Sequence, residues 1–205
     1  MPVIDKTGLL ARLAALPRVE LELGCGERKR TPAAIGIDLR DLPGVDLVGD
    51  VFDALAAFPP ASVDAVASHH FFEHVDDLPR LLSDIARVVK PGGELVVAVP
   101  HFSNPWYYSD PTHRRHFGLY TFCYLARSEL FRRAVPTYGI EPAFDLRAVR
   151  LDFKSTRPFY VRHALKQLQG LVFNAGTWMQ EFYEENLCWL APCYELRYTL
   201  IRRAG

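Results

Sequence analysis

The chain has 205 residues, 49% of them hydrophobic and 23% charged, with 24 basic side chains balancing 24 acidic ones. That composition excludes collagen-like, disordered and coiled-coil classes, and the length suits one domain with a sizeable core. The four cysteines form no CxxC pair, so a reduced, cytoplasmic protein is expected. The opening MPVIDKTGLLARLAALP has no basic n-region and does not read as a signal peptide. The uncharged stretch Gln167–Gln180 is too short and polar for an integral membrane segment.

In chain order, Leu9, Leu10, Leu13 and Leu16 have helical spacing before Pro17. Short apolar runs follow at Val19–Leu23, Ile35–Leu39, Val45–Val48, Val63–Ala67 and Leu95–Val99, each closed by turn residues. Such runs suit parallel strands buried on both faces. Between the last two, Val75, Leu78, Leu81, Leu82, Ile85, Val88 and Val89 form one helical face, with Asp76 as the expected N-cap and Lys90-Pro91-Gly92-Gly93 as the stop. Beyond Pro100 the spacing predicts a helix near Ser128–Ala134, a strand at Leu146–Phe153, helical material from Phe159 and a last strand at Tyr194–Arg202. The expected parts are an N-terminal helix (1–18), a ligand-binding core (19–100), an insertion (101–127) and a C-terminal cover (128–205), all in one domain.

Zero net charge hides a split, since residues 1–100 carry 10 basic and 15 acidic side chains and the second half has the reverse excess. No dominant basic stripe points to nucleic acid, and none is expected as a partner. In open α/β sheets ligands bind at the carboxyl ends of strands. Those ends carry Glu22 and Gly24-Cys25-Gly26, then Asp38, then Asp50. The glycines permit a sharp turn; Asp38 is placed to accept a ribose diol and Asp50 an exocyclic amine, which describes an adenosine pocket. Lys29 stands where a dinucleotide fingerprint needs its third glycine, so NAD and FAD are disfavoured, and no GxxxxGK[ST] phosphate loop exists.

The ordered set Val19-Glu20-Leu21-Glu22-Leu23-Gly24-Cys25-Gly26, Gly36-Ile37-Asp38-Leu39, Val48-Gly49-Asp50-Val51, the segment ending in Glu73-His74, and Val88-Val89-Lys90-Pro91-Gly92-Gly93 resembles class I S-adenosylmethionine-dependent methyltransferases of the type 11-like kind. Asp110-Pro111-Thr112-His113 resembles a segment of a bacterial branch. The resemblance implies a Rossmann-like α/β fold, a mostly parallel seven-stranded sheet with a C-terminal antiparallel hairpin. It implies S-adenosylmethionine as cofactor, with Gly24, Cys25 and Gly26 facing the methionine moiety, Asp38 and the adjoining Leu39 at the ribose, Asp50 at the adenine amine and Val51 offering its backbone N–H to the ring. The first crossovers depart from the family. Only residues 25–34 separate the first two strands, so the usual first helix is a single turn or missing.

Six of the seven histidines lie between His69 and His116, among many aromatic residues. His69 and His70 alternate sides of an extended strand, so one of the two lines the cofactor pocket; His69 is the candidate. His101 and His113 are the candidate catalytic residues at the acceptor site, with pinning of the insertion as the structural alternative. No metal is assigned, although Asp110, His113 and His116 at DxxHxxH spacing, joined by His70 or His101, form an alternative metal set. The acceptor is expected to be a small or glycan-related molecule, methylated at oxygen. A non-catalytic scaffold and a metal-assisted enzyme are the alternatives. The Phe159–Trp189 segment reads as a lid, a homodimer face or a membrane-surface helix.

Overall fold

A computed structural model describes residues 2–136, 138–139, 141–155 and 158–204. The apolar runs form strands where they were expected: β2 (Glu20–Leu23), β3 (Ile35–Asp38), β4 (Leu47–Val48), β5 (Val63–His69) and β6 (Val89–Pro100), followed by β7 (Phe144–Asp152) and β8 (Glu195–Arg202). A two-residue strand, β1 (Ile4–Asp5), adds an eighth at the edge, so the seven expected strands become eight. It has only two residues and no alternating pattern for the sequence to reveal. The order is β1-β4-β3-β2-β5-β6-β8-β7. Strands β4, β3, β2, β5 and β6 run parallel, while β1 and β8 are antiparallel to their neighbours. The chain moves outward from β2 through β3 to β4, then returns to β5 on the other side of β2. That reversal places the switch point between β2 and β5, where such sheets bind ligands.

No helix joins β2 to β3. The loop is held by polar bonds instead: Lys29 Nζ donates to Ala34 O and Asp46, both at 2.7 Å. Asp46 also accepts from Gly36 N–H at 2.8 Å. A short helix, α1 (Val51–Ala56), follows β4, capped by Asp50, whose Oδ1 accepts from Phe52 N–H at 2.9 Å. Helix α2 (Leu78–Val88) buries Leu78, Leu81, Leu82, Ile85 and Val88, each contributing about 1.5–3 kcal/mol against full exposure. Its N-cap is Asp77 rather than Asp76, because Asp77 accepts from Arg80 N–H at 3.0 Å and Pro79 occupies the first turn.

The 128–134 segment is not helical. It makes bends, while just before it Arg127 N–H donates to Phe144 O of β7 and Leu146 N–H of β7 donates back to Arg127 O. The N-terminal leucines form a 3-10 helix, Leu10–Ala15, that buries Leu13. Helices α3 (Tyr160–Phe173) and α4 (Thr177–Asn186) separate β7 from β8. Phe173, Gln180 and Tyr183 turn inward, whereas Tyr160, Val161, Leu165, Leu168 and Leu171 are exposed. Much of the aromatic insertion is core: Phe117, Leu119 and Phe122 are fully buried, and Tyr198 Oη donates to Gly118 O at 2.6 Å. Among the described residues, no helix is long and apolar enough to cross a membrane.

Candidate functional site

The glycine loop leaves β2 at Gly24, whose φ of +66° favours glycine. An added Cβ there would lie 2.6 Å from the Phe71 Cβ, so Gly24 is required by the close approach of the segment after β5. Gly26 also has positive φ, but the space beside it is open. Its N–H donates to Asp38 Oδ2 at 2.9 Å, and Arg40 N–H donates to Oδ1 at 3.0 Å. Asp38 is thereby oriented at the end of β3 with a second lone pair on each oxygen still available. Gly49 N–H bonds Asp38 O at 3.0 Å, bringing Asp50 and Val51 to the neighbouring strand tip. Leu39 lies beside them with 61% of its surface exposed, an apolar face suited to a flat ring. Two carboxylate acceptors, an exposed apolar side chain and an open glycine thus lie at the tips of β2, β3 and β4.

Two expected loop residues have other tasks. Glu22 is buried, and its carboxylate accepts from Arg30 N–H at 2.9 and 3.0 Å and from Thr31 N–H at 3.0 Å. It replaces the missing helix as the clamp on the loop. Cys25 is buried against Val45 and Val48, and burial pushes its thiol up to about 11. It fills space behind the loop.

At the end of β5 the two histidines part. His69 is half-buried, and burial, followed by the charge of Arg30, lowers its pKa to about 4, so the ring is neutral. His70 ends the strand with a φ of +53°. Its Nε2 lies 3.1 Å from Glu195 Oε2 and its Nδ1 3.3 Å from Glu73 Oε1. Burial alone would lower its pKa; the hydrogen bonds it donates to both carboxylates outweigh that and raise it to about 9. Glu195 would be raised by burial, yet bonds from His70 and Lys154 bring it down to about 2. This charged pair escaped the sequence reading because Glu195 comes from β8, 125 residues away.

The insertion packs on the same tip. Arg114 N–H and Arg115 N–H donate to Glu73 O at 2.7 and 3.2 Å. His113 Nδ1 donates to Tyr107 O at 2.8 Å, which leaves its Nε2 as a lone pair 4.0 Å from Glu73 Oε1. His74 and His113 have ring centres 4.9 Å apart. His116 is exposed and stacks on Tyr107 instead. The alternative metal set is therefore not assembled as the DxxHxxH spacing suggests.

His101 is fully buried. Ser103 N–H donates to its Nδ1 at 3.0 Å, so Nε2 carries the hydrogen and bonds Glu184 Oε2 at 3.1 Å. Glu184 also accepts from Leu119 N–H at 2.8 Å. With both nitrogens taken in the interior, His101 ties the end of β6 to α4 and the insertion and has no free atom facing the strand tips. A histidine just past a strand carries no sequence signal that separates this role from an open site.

Residues 21–97 match the family model described as a methyltransferase domain. No curated protein matches the chain. Among solved structures, a SAM-dependent methyltransferase from Archaeoglobus fulgidus is 19% identical, with 95% of this chain and 93% of that chain covered and a TM-score of 0.58. An S-adenosylmethionine-dependent methyltransferase from Mesorhizobium loti is 17% identical over 97% and 99%, with a TM-score of 0.52. Phosphoethanolamine N-methyltransferase 2 of Haemonchus contortus, in complex with S-adenosyl-L-methionine, is 15% identical over 96% of this chain and 52% of that one, also at 0.52. At these identities the likeness is one of fold.

Proposed function

We propose that this chain, whose residues 21–97 match a methyltransferase-domain model, is a class I S-adenosylmethionine-dependent methyltransferase that methylates a hydroxyl of a small or glycan-related acceptor. The cofactor lies across the tips of β2, β3 and β4. Asp38 receives the ribose hydroxyls, Leu39 covers one face of the adenine, Asp50 takes its amine and Val51 N–H meets the ring. Gly26 faces the methionine end, and neutral His69 lines the pocket at the switch point. The observation that supports this reading is that Asp38, Asp50 and the histidine-rich insertion packed against Glu73 all lie at the same carboxyl end of the parallel strands.

Methyl transfer from a sulfonium is an in-line displacement, and alignment can supply about 7–11 kcal/mol of the barrier. His113 anchors the acceptor through its open Nε2, and His101 holds the insertion in place through Glu184. A cavity of about 360 Å³ beside the tip carries Lys154, Arg162 and Lys166 with Trp106, and the Gln169 Oε1 there is buried without a partner. These groups favour an acceptor that bears a carboxylate or phosphate. Lys154 also bonds Glu195, which links the cavity to His70.

Calorimetry with S-adenosylmethionine and S-adenosylhomocysteine, on wild type and Asp38→Ala, tests the cofactor half. The expected result is binding by the wild type and a loss of about tenfold or more in the variant. Absence of wild-type binding, or equal affinities, overturns it. Radiolabelled methyl transfer to hydroxylated acceptors with and without an acidic group tests the other half. The close seating of Phe71 on Gly24 favours a second, binding-only reading, and stoichiometric binding with no transfer across the panel would establish that one.

A further inference from the structure

We propose that Glu73, His74 and His113 form a site for a single divalent transition-metal ion, zinc by its donor chemistry, that clamps the insertion onto the end of β5. One ligand atom from each of the three residues lies within 4.8 Å of the others. A tetrahedral zinc site with bonds of about 2.0–2.1 Å needs its donors about 3.4 Å apart, a gap that small side-chain rotations close.

The hydrogen bonds around the three side chains prepare them as ligands. Thr112 Oγ1 donates to Asp110 Oδ1 at 2.6 Å, so it is left to accept from His74 Nδ1 at 2.9 Å. His113 Nδ1 donates to Tyr107 O at 2.8 Å. Both rings thus carry their hydrogen on Nδ1 and a lone pair on Nε2, and each is oriented by an oxygen acceptor, as in metal-bound histidines. Glu73 is buried, its Oε1 is engaged by His70 Nδ1 at 3.3 Å, and its Oε2 is buried with no hydrogen-bond partner among the described residues. A buried carboxylate oxygen without a partner costs several kcal/mol unless a cation or donor meets it. Asp110 Oδ2, 3.8 Å from His113 Nε2, is within reach as a fourth ligand.

The neighbouring arginines do not repel the ion as their sequence position suggests. Arg115 donates to Asp76 O and Val75 O, and Arg114 Nε lies 3.8 Å from Asp76, so both guanidiniums are held at the Asp76 end. Two neutral imidazoles and carboxylates make a nitrogen–oxygen site of the kind that selects zinc over magnesium or calcium. The ion joins the segment after β5 to residues 110–113 of the insertion. When the acceptor hydroxyl is present, the ion takes over the anchoring role of His113. The clamp itself stands without the methyl-transfer reading.

The test uses the full chain without a histidine tag, dialysed against chelator and then against zinc, with metal measured by mass spectrometry. One equivalent is expected in the wild type. His113→Ala and Glu73→Gln should weaken binding about tenfold or more, and His116→Ala, in the same segment but outside the triad, should keep it. Substitution with cobalt(II) should give visible ligand-field bands without a thiolate charge-transfer band, since the four cysteines are buried and outside the triad. Circular dichroism confirms that each variant is folded, and the Glu73→Gln variant preserves shape if His113→Ala does not. No stoichiometric zinc in the wild type, a thiolate band, or equal binding in the triad variants overturns the proposal. None of these readouts needs S-adenosylmethionine, so failure here and failure of the cofactor reading are separate results.

Discussion

The charge on His70 makes stability depend on pH in a calculable way. Its pKa rises from 6.5 to about 9 on folding, because the carboxylates of Glu195 and Glu73 outweigh the opposing effect of burial. At about 1.4 kcal/mol per pH unit, that interval corresponds to about 3 kcal/mol. A raised pKa contributes fully below 6.5 and is lost as pH climbs through about 9. Glu195 shows the same interaction from the acid side: its contribution is complete above 4.5 and fades as pH falls through about 2. The attraction belongs to the pair and counts once. Substituting His70→Asn removes the cation while tolerating the left-handed backbone. Urea titrations of wild type and variant at about pH 6 and about pH 10 should give a stability gap about 3 kcal/mol larger at the lower pH. An equal gap at both pH values would refute the claim that His70 is a half-buried imidazolium held by Glu195.

Three further outcomes are expected. Gly24→Ala combines positive φ with a 2.6 Å approach to Phe71, so calorimetric unfolding should show a loss of at least about 2 kcal/mol. His101→Leu strands Glu184 and the Ser103 N–H in the interior and should lower stability by about 3 kcal/mol, read by denaturant titration. A change below about 0.5 kcal/mol would mean that His101 does not tie β6 to α4. The four thiols are buried, and burial holds each pKa above its usual range. A colorimetric thiol reagent at about pH 8 should therefore label them only after unfolding, and rapid labelling of Cys25 would show that the glycine loop opens.

By itself the sequence determined the parallel half of the fold, because each central strand is a short, uninterrupted apolar run and helix α2 shows a clean apolar face. The same local patterns marked Asp38 and Asp50, which the fold places at the end of β3 and just past the end of the neighbouring β4. The absent first helix was also legible, since ten residues containing Pro32 leave no room for one. Other features were decided only by the tertiary structure. Edge strand β1 exists because a neighbour offers it hydrogen bonds, and the bends at 128–134 replace a helix because Arg127 and Leu146 find partners across the chain. Histidine is where local pattern says least: its role follows from which groups meet its two nitrogens. His101 met Ser103 and Glu184 and became buried structure, whereas His70 met Glu195 across 125 residues and became a cation. His113, with one nitrogen engaged by Tyr107, kept the other free. The decisive carboxylates, Glu184 for His101 and Glu195 for His70, are brought in by chain topology from 83 and 125 residues away, beyond any local window of sequence.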